Sequence, residues 1–112
     1  MEGLLGLKFL VVDDMFTMRK MMRKTLDTLG IKNIIDAKNG KIASDLLQLE
    51  AAKGAPFQFV ISDWNMPEMT GLELLKLCRA HESFKEIAFV LVTAEADASR
   101  AEAAKLAGVD HY

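Results

Sequence analysis

Three points in the chain place acids or a hydroxyl directly behind a short apolar run. Asp13-Asp14 follows Phe9-Leu10-Val11-Val12, Asp63 closes the stretch that begins at Phe57, and Thr93 follows Ile87 to Val92. In an open parallel sheet, ligands bind at the carboxyl edge of the strands. If the first and third runs are neighbouring strands, Asp13, Asp14 and Asp63 crowd into one pocket at that edge. Two bare carboxylates about 4 Å apart repel by roughly 4 kcal/mol at an effective dielectric near 20. A proton shared between two of them would offset this. A divalent cation does so at neutral pH and suits oxygen-only ligands, and without a matching His or Cys magnesium is favoured over zinc.

Plainer roles compete with this one. Asp14 or Thr17 could cap the helix that follows. Asp63, in Asp63-Trp64-Asn65-Met66-Pro67 with Gly71 beyond, could belong to a polar turn shaped by Pro67. Thr93 could be a β-branched strand end. Capping accounts for one acid after a strand, but hardly for two adjacent acids plus a third on a separate strand. Cys78 and His81 lie three apart on one helical stretch, a spacing that would suit a thiol–imidazole pair. Cys78 falls on the apolar stripe, so it is read as a small buried residue and His81 as a surface one. The basic residues from Arg19 to Lys24 are read as the solvated face of a helix.

The elements that must position these groups follow from the patterning. Phe9–Val12, Ile34-Ile35, Phe57–Ile61 and Ile87–Val92 are almost wholly apolar without alternation, as strands covered on both faces are. Between them, Met18, Met21, Met22, Leu26 and Leu29 have helical spacing, with Gly30 as the stop. Ile42, Ala43, Leu46, Leu47 and Leu49 repeat it, as do Leu72, Leu75 and Cys78, and an Ala-rich run from Ala98 to Ala107 ends at Gly108. Asn39-Gly40 has the composition of a hairpin turn, but helical spacing follows it. Strict alternation predicts an α/β fold, a doubly wound parallel sheet with right-handed crossovers on both faces. Val109 to Tyr112 has the character of an opening fifth strand.

The composition bounds the function. The chain has 112 residues, 51% apolar and 27% charged, so one domain over 1–112 is expected. Fourteen basic against sixteen acidic residues give a net charge of −2, which argues against gripping nucleic acid. No apolar run approaches the roughly 18 residues of a membrane span, and Met1-Glu2-Gly3 lacks a basic leader. A single cysteine fits a reducing compartment, so a cytoplasmic protein is expected.

Lys8-Phe9-Leu10-Val11-Val12-Asp13-Asp14, with Thr17-Met18-Arg19 behind it, resembles the start of response-regulator receiver domains. Ile61-Ser62-Asp63-Trp64-Asn65-Met66-Pro67, then Met69 and Gly71-Leu72-Glu73-Leu74-Leu75-Lys76, resembles the chemotaxis branch of that family, as does Val92-Thr93-Ala94-Glu95-Ala96. The resemblance runs from Lys8 to Tyr112 with the blocks in order. It implies a flavodoxin-like sheet of strand order 2-1-3-4-5. It implies a stand-alone two-component regulator rather than an enzyme acting on an external substrate. Asp63 would accept a phosphoryl group from a sensor histidine kinase of the chemotaxis type. Magnesium would be held by the Asp14 and Asp63 side chains and the Asn65 carbonyl, with Asp13 acting through a coordinated water. Thr93 would close onto the phosphate and Tyr112 would change rotamer with it. The partners implied are that kinase, a flagellar motor switch protein and a phosphatase.

The family's lysine–proline pair and fifth helix have no counterpart before Tyr112. The expectation is therefore a receiver lacking most of strand 5 and helix 5. The alternative function is a truncated fragment that binds metal with impaired phospho-switching. This form is expected either to be markedly less stable than a longer one or to self-associate to cover an apolar strip, for which Val11, Val60 and Val90 are candidates. Two rival functions fit less well. Aspartyl phosphatases place two aspartates one residue apart after the first strand, whereas Asp13 and Asp14 are adjacent. A flavin carrier needs a Ser/Thr/Gly-rich phosphate loop where Asp-Asp-Met-Phe stands.

Overall fold

The computed structural model describes residues 6–93 and 98–112; the proposed leader-free start at Met1-Glu2-Gly3 lies outside them. Strands β1 (Phe9–Val12), β2 (Ile34–Ala37), β3 (Phe59–Asp63) and β4 (Ala88–Val92) alternate with helices α1 (Phe16–Thr28), α2 (Gly40–Ala52), α3 (Gly71–Ala80) and α4 (Ala98–Leu106). The sheet is parallel throughout, in the order β2-β1-β3-β4. This is the expected doubly wound order as far as the fourth strand. Of the expected fifth strand, one parallel bridge is formed between Val90 and His111. The Leu91 N–H donates to the His111 carbonyl at 2.9 Å, so the chain does turn alongside β4 where a fifth strand would pair.

Two cores sandwich the sheet. Leu10, Val12, Val60, Phe89 and Leu91 face Ala43 and Leu47 of α2, Leu74, Leu75 and Cys78 of α3, and Ala104 of α4. Phe9 and Val11 face the other way, onto Leu26 and Ile31, with Phe9 and Phe59 rings stacked 4.6 Å apart. Val60 therefore sits on the three-helix face and does not belong to the strip proposed with Val11 and Val90. Val11 is itself buried beneath α1. The open positions on that side are the alternate residues Ile61 and Val90, both half-buried, and Val92, which is exposed.

The helix starts show local sequence at work. Asn39 caps α2 by accepting from the Ile42 N–H at 2.8 Å, which settles the Asn39-Gly40 pair as a helix entry. Thr70 and Glu73 form a reciprocal capping box at α3. Gly30 ends α1 with φ of 90°, a left-handed conformation that costs glycine little. The α1 stripe is narrower than its spacing suggests. Leu26 is buried and Met18 and Met22 are half-buried, but Met21 and Leu29 are 59% and 51% exposed. The Met18-Met22-Leu26 row, spaced by four, meets the sheet, and the Met21–Leu29 row lies one row round the helix. Leu49 of α2 is likewise exposed.

Two polar ties hold elements that the apolar pattern does not join. Lys8 is buried, with its ammonium on the Glu50 carboxylate, on the Ala55 carbonyl at 2.8 Å, and 4.9 Å from the centre of the Phe57 ring. Arg79 donates to the Gly108 carbonyl at 2.8 Å and the Ile87 carbonyl at 2.6 Å, and pairs with Asp110 at 2.8 Å. Cys78 is fully buried, and burial pushes its thiol pKa up to about 12. Since the thiolate is the reactive form, Cys78 is expected to resist alkylation at neutral pH until denaturant unfolds the chain. Labelling of the folded protein at the unfolded rate would place Cys78 at the surface and overturn this packing.

Candidate functional site at the carboxyl edge of the sheet

The strand order makes β1 the neighbour of β3, and β3 the neighbour of β4. Val12 pairs with Ser62, so Asp13 and Asp63 emerge side by side. Asp63 pairs with Val92, and the Trp64 N–H donates to the Val92 carbonyl at 2.9 Å, which carries the pairing up to Thr93. Asp13, Asp14 and Asp63 each offer a carboxylate oxygen, and these oxygens lie within 4.8 Å of one another. The predicted crowding of three acids is therefore present.

The acids do not spend themselves on helix capping. α1 starts at the N-cap residue Met15 with no side-chain cap, so neither Asp14 nor Thr17 plays the role weighed for it. Asp13 Oδ1 instead accepts from the Met15 N–H at 2.9 Å, which ties the buried carboxylate to the turn. Burial is the main force raising the Asp13 pKa above its ordinary value, opposed by the Met15 hydrogen bond and reinforced by the charges of Asp63 and Asp14. Asp63 is raised mainly by burial as well. The Asn65 and Trp64 N–H groups donate to it and oppose that rise, Asp14 adds to it, and the Arg100 charge counters it. An all-oxygen set with this much mutual repulsion fits a hard divalent cation, which would relieve both effects.

Around the acids lies a second group. The Arg100 guanidinium donates to Thr93 Oγ1 at 3.0 Å and to Asn65 Oδ1 at 3.4 Å, and its carbon sits 5.1 Å from the centre of the Trp64 ring. Trp64 is 8% exposed and meets Tyr112 edge-on at 5.9 Å. Thr93 and Asn65 are thus linked through one side chain, whereas Tyr112 contacts Trp64. Residues Ala94, Glu95 and Ala96 of the Thr93 motif lie outside the described residues. Arg100 was not singled out from sequence, although a signal exists. It stands in the first turn of α4, where the helix dipole disfavours a cation, so it needs acceptors of its own.

Gly71 sets the floor of the site. A Cβ there would lie 2.2 Å from the Asp63 carbonyl oxygen and 2.8 Å from Leu91 Cδ2. Only glycine lets α3 start so close beneath the residue at the centre of the cluster, and the Gly71 N–H fixes the loop by donating to the Trp64 carbonyl at 2.9 Å.

A four-stranded parallel sheet in the order β2-β1-β3-β4, three acids at its carboxyl edge and a threonine on the adjoining strand together define a receiver domain. The sequence pattern of the response regulator receiver domain matches residues 9–112, and the chain belongs to that family. It is 41% identical over 106 residues to a chemotaxis protein CheY homolog of Campylobacter jejuni, covering 95% of this chain and 78% of that one. It is also 41% identical to chemotaxis protein CheY1 of Helicobacter pylori, covering 95% and 82%. Among solved structures, chemotaxis protein CheY4 of Vibrio cholerae superposes with a TM-score of 0.79 at 32% identity, covering 94% of this chain and 82% of that one. The receiver domain of the histidine kinase CKI1 from Arabidopsis thaliana, in complex with Mg2+ and BeF3−, superposes with a TM-score of 0.85 at 28% identity, covering 99% and 83%. The chain is thus a CheY-like receiver, in a family of signalling proteins. No helix among the described residues is long and apolar enough to cross a membrane.

Proposed function

We propose that this chain is a single receiver domain that accepts a phosphoryl group on Asp63 from a chemotaxis-type histidine kinase and signals through protein contacts to a flagellar motor switch. The observation that carries the reading is the meeting of Asp13, Asp14 and Asp63 within 4.8 Å beside Thr93 on the next strand. Asp14, Asp63 and the Asn65 carbonyl would hold magnesium, and Asp13, hydrogen-bonded to the Met15 N–H, would act through water. Magnesium, when bound, offsets the negative charge that would otherwise repel an entering phosphoryl group.

The chain's own residues do the rest. A carboxylate with an ordinary pKa near 3.9 is ionised at pH 7 and attacks without a general base. Burial shifts Asp63 upward, and a cation bound beside it would oppose that shift. An Asp63 oxygen forms the new bond to phosphorus as the bond from phosphorus to the donor nitrogen breaks. The Trp64 and Asn65 N–H groups orient that carboxylate. The acyl phosphate that results is a strong acceptor for the Thr93 hydroxyl. Tyr112, through its edge contact with Trp64, stands where it can report that movement outward. The MgII- and BeF3−-bound CKI1 receiver supports the reading, as a relative that holds both a metal and a phosphoryl mimic.

Trp64 supplies the test, because it is the sole tryptophan and directly follows Asp63. Magnesium titration is expected to change its emission, with the change lost in Asp14→Ala. Binding should be weak, because the ion keeps several waters when only two carboxylates bind it. A flat response at millimolar magnesium in folded protein would contradict the proposed site.

A further inference from the structure

We propose that Arg100 is a phosphoryl-binding residue of this receiver: its guanidinium, held between Thr93 Oγ1, Asn65 Oδ1 and the Trp64 ring, moves its hydrogen bonds onto the phosphoryl group carried by Asp63. This rests on the reading of Asp63 as the phosphoryl acceptor.

Three observations carry it. First, the anchors of Arg100 surround Asp63 in the chain and in the sheet. Trp64 and Asn65 are the two residues that follow it, and Thr93 follows Val92, the register partner of Asp63. Second, the Thr93 and Asn65 oxygens are neutral acceptors, and the bond to Asn65 is long at 3.4 Å. A phosphoryl oxygen is a far stronger acceptor, since hydrogen bonds between ionised partners are roughly twice as strong as neutral ones. The planar fork of an arginine suits a phosphate's oxygens. Third, the charge balance asks for it. A divalent cation cancels only half of the charge carried by Asp13, Asp14 and a dianionic phosphoryl group. Arg100 is a cation placed within electrostatic reach of Asp63, on a half-buried side chain where that charge is less screened. The ring face of Trp64 holds the guanidinium at the rim.

The two ligands of the site should respond to Arg100 in opposite ways, which separates this role from mere support of the fold. Beryllofluoride, a non-covalent mimic of the phosphoryl group, is titrated at saturating magnesium and followed by fluorine NMR, with magnesium affinity measured separately by calorimetry. Wild type, Arg100→Ala, Arg100→Lys and Asp63→Asn are compared. Arg100→Ala is expected to bind beryllofluoride about tenfold or more weakly, the effect of one lost charged hydrogen bond. It should bind magnesium at least as tightly, because a cation beside the carboxylates is gone. Arg100→Lys should recover part of the beryllofluoride affinity, and Asp63→Asn none. Beryllofluoride binding by Arg100→Ala within about twofold of wild type, or equal weakening of both ligands, overturns the assignment of Arg100 while leaving Asp63 intact. Failure of wild type to bind beryllofluoride overturns the phosphoryl-acceptor reading and this inference together.

Discussion

Asp63→Asn is expected to reduce phosphoryl transfer from a small-molecule phosphodonor to background, with the fold unchanged. The amide matches the carboxylate in shape, so the N–H groups of Trp64 and Asn65 keep an acceptor. It offers no anionic oxygen to attack phosphorus. Asp13 and Asp14 remain, but they cannot substitute. Asp13 is buried with one oxygen committed to the Met15 N–H, and both arise from β1 rather than from the β3 end beside Thr93. Radiolabel incorporation measured beside a thermal melt checks the pair of claims. Robust labelling of the folded variant at another residue would remove Asp63 from its role.

The second large effect is structural. Gly71→Ala is expected to cost about 3 kcal/mol or more in urea unfolding, at or above the usual range for overpacking. The offending neighbour is the Asp63 carbonyl oxygen, 2.2 Å from the new methyl, and a main-chain atom cannot swing aside as a side-chain end can. Relief requires α3 to shift away from β3, or Asp63 to move. Magnesium affinity should therefore fall along with stability. A variant that melts within about 1 kcal/mol of wild type would show that α3 has room to move there.

The chemistry of the site was largely legible in the sequence, because its position is set by the ends of apolar runs. Phe9–Val12 and Phe59–Ile61 must lie inside a parallel sheet, so the acids that follow them emerge at one edge. Alternation fixed the helices on both faces by the same reasoning. What remained hidden depends on distances that local patterns do not encode. The rotation of α1 leaves Met21 and Leu29 outside, since spacing marks a broad apolar arc but not which of its rows meets the sheet. Val60 went to the opposite face from Val11 and Val90, because a fully apolar strand carries no alternation from which to read a face.

Long-range polar partners were equally silent. The buried Lys8–Glu50 pair joins residues 42 positions apart, and neither side chain stands out in a sequence with 27% charged residues. Arg100 reaches Asn65 across 35 positions. Its place in the first turn of a helix hinted at a need for partners without naming them. The proposed roles of Asp63, Thr93 and Tyr112 come from the resemblance to receiver domains. Residue chemistry alone left Asp63 open between metal binding and a polar turn, and Thr93 open to a plain strand end.

The central claim is that Asp63 is the residue that carries the phosphoryl group. An acyl phosphate can be trapped by borohydride, which reduces the activated carboxyl to an alcohol and turns the aspartate into homoserine. The wild-type protein is treated with magnesium and a small-molecule phosphodonor, reduced, digested and mapped by mass. Homoserine at position 63, absent when magnesium is chelated, is the predicted result. Homoserine at Asp13 or Asp14, or none anywhere in folded protein with magnesium present, would contradict it.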